Sequence, residues 1–120
     1  MVKRVLLTGF GGSIAVHFLA HIMHTTDLEV VGIDSFNHRG YSDRLHEMVK
    51  DHPDWNSRWK VITHDLTASF SEMTKKKIGK VDYIINLASL SDVEASIKEP
   101  IPFVKNNVSI MLNLLEFARE

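Results

Sequence analysis

Three glycines within four positions, Gly9, Gly11 and Gly12, stand between a short apolar run and an amphipathic one. No other feature of the chain restricts its fold as much. Val2 to Leu7 reads as a buried strand. From about Gly12 to His24, apolar residues at Ile14, Val16, Phe18, Leu19, Ile22 and Met23 recur at helical spacing. A glycine-rich turn between the two lets the backbone bend sharply and approach other groups closely. It also sets the N-terminus of a helix, with its unpaired N–H groups, beside the end of a strand.

The alternation continues along the chain. Glu29 to Ile33 is a second buried strand, ended by Asp34. Residues 36–59 form a polar excursion carrying Trp55, Trp59 and a helix over Asp43 to Lys50, with Pro53 marking its end. Both tryptophans read as local packing. Lys60 to Thr63 is a third strand, and a helix from about Ala68 to Ile78 leads through Gly79 to a fourth, Val81 to Leu87. A last helix starts near Ile101 and runs to the end, with Val104, Val108, Met111, Leu112 and Leu115 along one face. Apolar strands alternating with helices predict an α/β fold: a Rossmann-type doubly wound parallel sheet, covered on both faces and truncated after about four strands. Residues 1–120 read as one domain.

Composition narrows the functional classes. A net charge of −1 offers no field for nucleic acid or an anionic membrane. With no cysteine, disulfides and thiolate zinc sites are excluded, which suits a reducing cytoplasm. No apolar run reaches the roughly 20 residues that span a bilayer. His17, His21 and His24 share a helix face, but without a carboxylate at matching spacing they read as a solvent-facing stripe rather than a metal site. Lys75, Lys76 and Lys77 suit the C-terminal end of a helix.

The glycine turn admits a sharper chemistry. Read as G-x-x-G-x-x-G it gives Gly9, Gly12 and Ala15, with alanine in the third, close-packing place. Such a turn brings backbone and a helix N-terminus to a pyrophosphate. The plain alternative is a glycine-rich strand-to-helix turn with no ligand. Asp34 lies 22 residues beyond Gly12, where a carboxylate can accept hydrogen bonds from ribose hydroxyls. It would repel a 2′-phosphate, favouring NAD over NADP, a preference that nearby His38 and Arg39 would soften. The plain alternative for Asp34 is a turn residue at a strand end.

With these features in order, the sequence resembles the extended short-chain dehydrogenase/reductases, the group of nucleotide-sugar epimerases and 4,6-dehydratases. Thr8-Gly9-Phe10-Gly11-Gly12-Ser13-Ile14-Ala15 is similar to that family's T-G-x-x-G-x-x-G opening, apart from Ala15. The resemblance implies that the amides of Ser13 and Ile14 hold the pyrophosphate of NAD. His64-Asp65-Leu66 resembles the D-[LVI] pair, implying that Asp65 and Leu66 contact the adenine; by itself Asp65 reads first as a helix N-cap. Asn86-Leu87-Ala88-Ser89 resembles the segment after the fourth strand that lies along the cofactor's ribose and phosphates, which assigns Leu87, Ala88 and Ser89 to the site. Lys105-Asn106-Asn107-Val108 resembles the start of the next long helix, where Asn106 would touch the cofactor and Asn107 brace the adjoining backbone.

The family's chemistry uses a Ser or Thr after the fifth strand and a Tyr-x-x-x-Lys pair on a later helix. Tyr41 is followed four residues on by Leu45, and Tyr83 by Leu87, so no catalytic residue is assigned and the chain alone is expected to be inactive. The resemblance implies a nucleotide-sugar substrate only in a full-length parent, and a homodimer through the last helix. The excursion, residues 36–59, is similar in length to that of the sugar-nucleotide dehydratases, a resemblance that also implies nucleotide-sugar chemistry in the parent. Two readings compete with this one: a non-catalytic dinucleotide-binding sensor, and an unfinished sheet that covers its exposed edge by self-association.

Overall fold

The computed structural model describes residues 2–36 and 41–120, with the backbone alone at Tyr41 and Ser42. Four parallel strands, β1 (Arg4–Thr8), β2 (Glu29–Asp34), β3 (Trp59–Thr63) and β4 (Tyr83–Ile85), form one sheet in the order β3-β2-β1-β4. The helices are α1 (Ser13–Thr25), α2 (Tyr41–Val49), α3 (Glu72–Ile78), α4 (Val93–Lys98) and α5 (Pro100–Arg119). The chain steps outward from β1 to β2 to β3, then returns to the other side of β1 for β4. That reversal is a topological switch point, and it falls between β1 and β4.

Neighbouring strand residues point to opposite faces, and each face builds its own core. Leu7 and Val30 join Phe10, Ala15, Val16, Leu19, Ile22, Leu45 and Trp55 on the α1–α2 side. Leu6 and Val31 join Ile33, Leu66, Phe70, Ile78, Ile110 and Leu114 on the α3–α5 side. The expected parallel sheet with helices on both faces is therefore observed. Its centre, β1 and β2, is buried, but β3 leaves Lys60, Val61 and Thr63 exposed and β4 leaves Tyr83 exposed. The expectation that all four strands are apolar and covered fails at these two edges.

Several boundaries differ from those read in the sequence. β1 runs Arg4–Thr8 rather than Val2 to Leu7, because pairing with β2 begins at Arg4 and Glu29, joined by a 3.0 Å salt bridge. The excursion helix spans Tyr41–Val49, and Pro53 opens a short 3-10 turn, Pro53–Trp55. α3 starts at Glu72, not Ala68, because Ser71 caps it by accepting from the Thr74 amide at 3.1 Å. β4 keeps only the three residues that pair with β1, shorter than Val81 to Leu87. α4 was not expected; Asp92 caps it, accepting from Ala95 N at 3.0 Å.

The last helix carries the expected apolar face, turned to solvent. Val104, Val108, Met111, Leu112 and Leu115 do form one face, but all are exposed. The side that packs on the sheet carries Ile110, Leu114 and Phe117. Similarly Ile14, counted among the apolar positions of α1, is 71% exposed, while Ala15 takes the core place. Trp55 packs locally, with the His52 ring stacked on it at 3.8 Å between centroids, whereas Trp59 reaches Phe10 of the glycine turn, 5.8 Å between centroids. His17, His21 and His24 are exposed along α1.

Arg58 closes the far end of α1. Its guanidinium donates to the carbonyls of Met23 at 3.1 Å, Thr26 at 2.5 Å and Leu28 at 3.2 Å, acceptors left over where the helix ends. Replacing Arg58 by Ala should lower stability by about 2 kcal/mol, since hydrogen bonds from a charged donor are the stronger kind. Urea unfolding of both proteins checks this, and equal midpoints would refute it.

Candidate functional site

The site begins at the C-terminal end of β1. Thr8 is fully buried, and its hydroxyl donates to Asn86 Oδ1 at 2.5 Å while accepting from the amides of Leu87 at 3.0 Å and Ala88 at 3.2 Å. These bonds fasten the loop after β4 across the switch point. Gly9 follows with φ +64°, a left-handed conformation that favours glycine. A Cβ there would lie 2.8 Å from the Leu87 carbonyl carbon and oxygen and 2.9 Å from Ala88 N. Only a residue without a side chain fits against that backbone.

Gly12 caps α1 through backbone alone: its N–H donates to Gly9 O at 2.8 Å, and its carbonyl accepts from Val16 N at 3.1 Å. No side chain caps this end, and no acidic residue occupies the first turn. The amides of Ser13, Ile14 and Ala15 precede the first helical donor, Val16 N, so they are left as donors at the positive end of a 13-residue helix. Ala15 is buried, so the departure from a third glycine is accommodated with its Cβ in the core.

Asp34, only 7% exposed, faces this turn. One carboxylate oxygen accepts from Gly11 N at 2.8 Å and the other from Phe36 N at 2.9 Å. Each oxygen keeps a further lone pair for another donor. Arg44 of α2 donates to the Gly11 carbonyl at 3.1 Å, holding the same turn from the other side. His38 and Arg39 lie outside the described residues.

The next strand end supplies His64, Asp65 and Leu66. Asp65 Oδ1 accepts from the Thr67 amide at 2.9 Å and hydroxyl at 2.7 Å. These bonds hold its carboxyl below the usual carboxylate range, the backbone amide first. The capping alternative for Asp65 is thus half right: it organises the turn after β3, while α3 is capped by Ser71. Asn113 of α5 donates to Leu66 O at 2.7 Å and steadies the same segment. Asn107 grips Leu90 from both sides, accepting from its amide at 2.8 Å and donating to its carbonyl at 3.1 Å. Asn106 donates to Asn107 Oδ1 at 3.0 Å.

These strand ends enclose one cavity of about 150 Å³. Gly9, Gly12 and Asp34 line one side of it, and Asp65 and Leu66 the next. Leu87, Ala88, Ser89 and Asn106 complete the group that the sequence singled out. Ser13 and Ile14 are not part of the lining; they stand exposed at the start of α1. Ser35, His64, Leu90 and Ile110 line the cavity without having been expected. Asn113, whose side chain holds the Leu66 carbonyl, was also missed, as were the bond from Gly11 N to Asp34 and the anchoring role of Thr8. Of these, only Thr8 and Gly11 carried a signal, their places in the glycine motif.

A family profile described as GDP-mannose 4,6 dehydratase matches residues 6–120. The chain belongs to this family. The match agrees with the resemblance to the extended short-chain dehydrogenase/reductases and covers the N-terminal part of that fold. The chain is 29% identical over 117 residues to dTDP-glucose 4,6-dehydratase of Escherichia coli, covering 98% of this chain and 31% of that protein. It is 32% identical over 114 residues to low-salt glycan biosynthesis protein Agl12 of Haloferax volcanii, covering 95% and 34% respectively. The fold matches that of UDP-glucuronic acid 4-epimerase from Bacillus cereus, solved with UDP-glucuronic acid and NAD, with TM-score 0.76 at 24% identity, over 98% of this chain and 37% of that one. The chain spans about a third of the length of the curated relatives it matches.

Two outcomes test this geometry. Gly9→Ala should cost about 2–4 kcal/mol, because both the left-handed φ and the clash involve backbone that has no rotamer to yield; thermal unfolding close to that of the parent would refute the close approach. Asp65→Ala should be less stable than the parent at neutral pH. Because folding holds the Asp65 pKa below its unfolded value, this difference should vanish as the pH falls through the folded value. A difference that grows in acid, read by denaturant titration at several pH values, would contradict the assignment.

Proposed function

We propose that this chain is the NAD-binding part of an NAD-dependent nucleotide-sugar epimerase or 4,6-dehydratase. The reading rests on one observation above all: the buried Asp34 carboxylate and Gly12, the residue that opens α1 with no side-chain cap, line the same cavity at a sheet switch point. The residues present suit a dinucleotide. The glycine turn offers a surface that a single Cβ at Gly9 would spoil, and the α1 amides offer donors to a diphosphate. The cavity is smaller than the ~300–1,000 Å³ typical of pockets enclosing a drug-sized ligand, which suits one end of a long ligand lying along an open edge.

In this reading Ser13 and Ile14 donate their amides to the pyrophosphate. Asp34 accepts from the adenosine ribose hydroxyls with the lone pairs that Gly11 and Phe36 leave unused, and its charge repels a 2′-phosphate. Asp65 and Leu66 border the adenine. Leu87, Ala88, Ser89 and Asn106 run along the remaining ribose and phosphates. When bound, NAD supplies hydride acceptance from a sugar carbon. Neither tyrosine here begins a Tyr-x-x-x-Lys, so the acid/base pair of such an activity is no part of this stretch. The whole of residues 1–120 then acts as one cofactor-binding domain. A cytoplasmic setting fits the absence of cysteine. Among the described residues no helix is long and apolar enough to cross a membrane.

The exposed face of α5 extends the proposal to self-association. Val104, Val108, Met111, Leu112 and Leu115 make a contiguous apolar stripe of the kind that marks protein interfaces. Light scattering over a concentration series should report a dimer that Leu112→Lys converts to a monomer; a parent that stays monomeric throughout would refute it.

Calorimetric titration should show NAD binding, with NADP weaker by at least about tenfold. Asp34→Asn should weaken NAD about tenfold and narrow the gap to NADP, as expected for a hydrogen bond to a charged acceptor. Absence of NAD binding, or tighter binding of NADP, would overturn the reading.

A further inference from the structure

We propose that Phe10 is a positioning residue for Asp34, setting through its fit against Gly32 how strongly the site reads the adenosine ribose. The inference rests on the dinucleotide reading above and concerns a side chain that is not part of the cavity lining. Phe10 carries the one side chain between Gly9 and Gly12, and its ring is fully buried. A Cβ on Gly32 would overlap that ring at Cγ, Cδ1 and Cδ2. The ring therefore lies on β2 where the strand has no side chain of its own. Alternate strand residues share a face, which puts residues 30, 32 and 34 on one side of the sheet. Val30 and Phe10 belong to the same core cluster on that side. The glycine turn thus lends β2 the side chain that Gly32 lacks, in the row between Val30 and Asp34.

Two backbone bonds run beside this contact. Phe10 N donates to Ile33 O at 3.2 Å, and Gly11 N donates to the Asp34 carboxylate at 2.8 Å. The ring and two successive amides thus engage residues 32, 33 and 34 in turn. Trp59 of β3 packs beside the ring, with centroids 5.8 Å apart and planes 39° from parallel. How the Asp34 carboxylate is aimed depends on how far the turn stands from β2, and the ring sets that separation. Protein interiors are close-packed, so a smaller residue at position 10 lets the turn collapse inward, and a side chain at position 32 pushes it outward. Either movement shifts Gly11 N and with it Asp34. Every group proposed to touch the dinucleotide keeps its chemistry.

The test compares NAD with its adenosine 2′-deoxy analogue by calorimetry on the full chain and on Phe10→Ala, Phe10→Leu, Gly32→Ala and the Phe10→Ala, Gly32→Ala double variant. The parent should favour NAD by about tenfold, the scale of one hydrogen bond to a charged acceptor. Phe10→Ala should weaken NAD by about tenfold and the deoxy analogue much less, so that the preference nearly disappears. Gly32→Ala, which drives the ring off β2, should do the same. The double variant should lose no more than either single one, the non-additivity of two residues acting through one contact. Thermal unfolding follows stability separately: a lowered midpoint with the parental preference intact in Phe10→Ala means packing alone and sinks the inference. A parent that binds both ligands equally overturns the ribose role of Asp34 and this inference, and leaves the dinucleotide reading standing. A parent that binds neither overturns that reading as well. Should Phe10→Ala not fold, Phe10→Leu decides by the same comparison, a reduced preference supporting the inference and a parental one refuting it.

Discussion

The contact between the end of β1 and the loop after β4 organises everything that faces the ligand edge. Thr8 satisfies two amides of that loop and a side-chain carbonyl with one hydroxyl, and Gly9 lets the two backbones meet at a distance no Cβ tolerates. Once residues 86–88 are set, the rest follows by a series of braces. Asn107, inside α5, takes hold of Leu90, and Asn113, further along the same helix, holds Leu66. One helix thereby fixes the segments after both β3 and β4. Its inward face is polar where it steadies these loops and apolar where it meets the sheet.

Asp34 shows how a functional group can be held ready for use. A buried carboxylate without partners would be costly, and here two backbone N–H groups compensate it. The same bonds close the glycine turn and shape the exit from β2, where Phe36 adopts φ +55°. Asp34 is thus both the turn residue that a plain reading assigns and the acceptor that a ribose needs. The two roles are compatible because a carboxylate has more lone pairs than the turn consumes.

The sequence was most legible where a local rule governs. The alternation of strands and helices, α4 apart, and the glycine crossover depend on neighbouring residues and appear where expected. The residues assigned to the ligand edge fall around one cavity because a parallel sheet brings every strand's C-terminal end to the same side. Ser13 and Ile14 are the exceptions, standing at the helix mouth. Asn107 apart, whose hold on the backbone at Leu90 the family resemblance implied, braces that span distant segments left no trace to read. Asn113 to Leu66 and Gly11 to Asp34 depend on residues 47 and 23 positions apart. Nothing in the sequence pattern places the His64 ring against the Ala68 carbonyl and the Phe70 ring.

α5 marks the boundary between what the chain determined alone and what only its folding decided. Apolar residues occur on both sides of this helix, Val104, Val108, Met111 and Leu115 on one and Ile110, Leu114 and Phe117 on the other, so periodicity establishes a helix without naming its buried face. The choice was made by partners remote in sequence: the sheet surface takes Ile110 and Leu114, and the loop backbones take Asn107 and Asn113. The sequence by itself determined a parallel α/β sheet, its family, and the glycine and carboxylate that meet at its edge, since each follows from local spacing. The tertiary structure decided which side of each helix is buried, how short the edge strands become, and which side chains hold the cavity open, since those depend on contacts that close only when distant segments pack together.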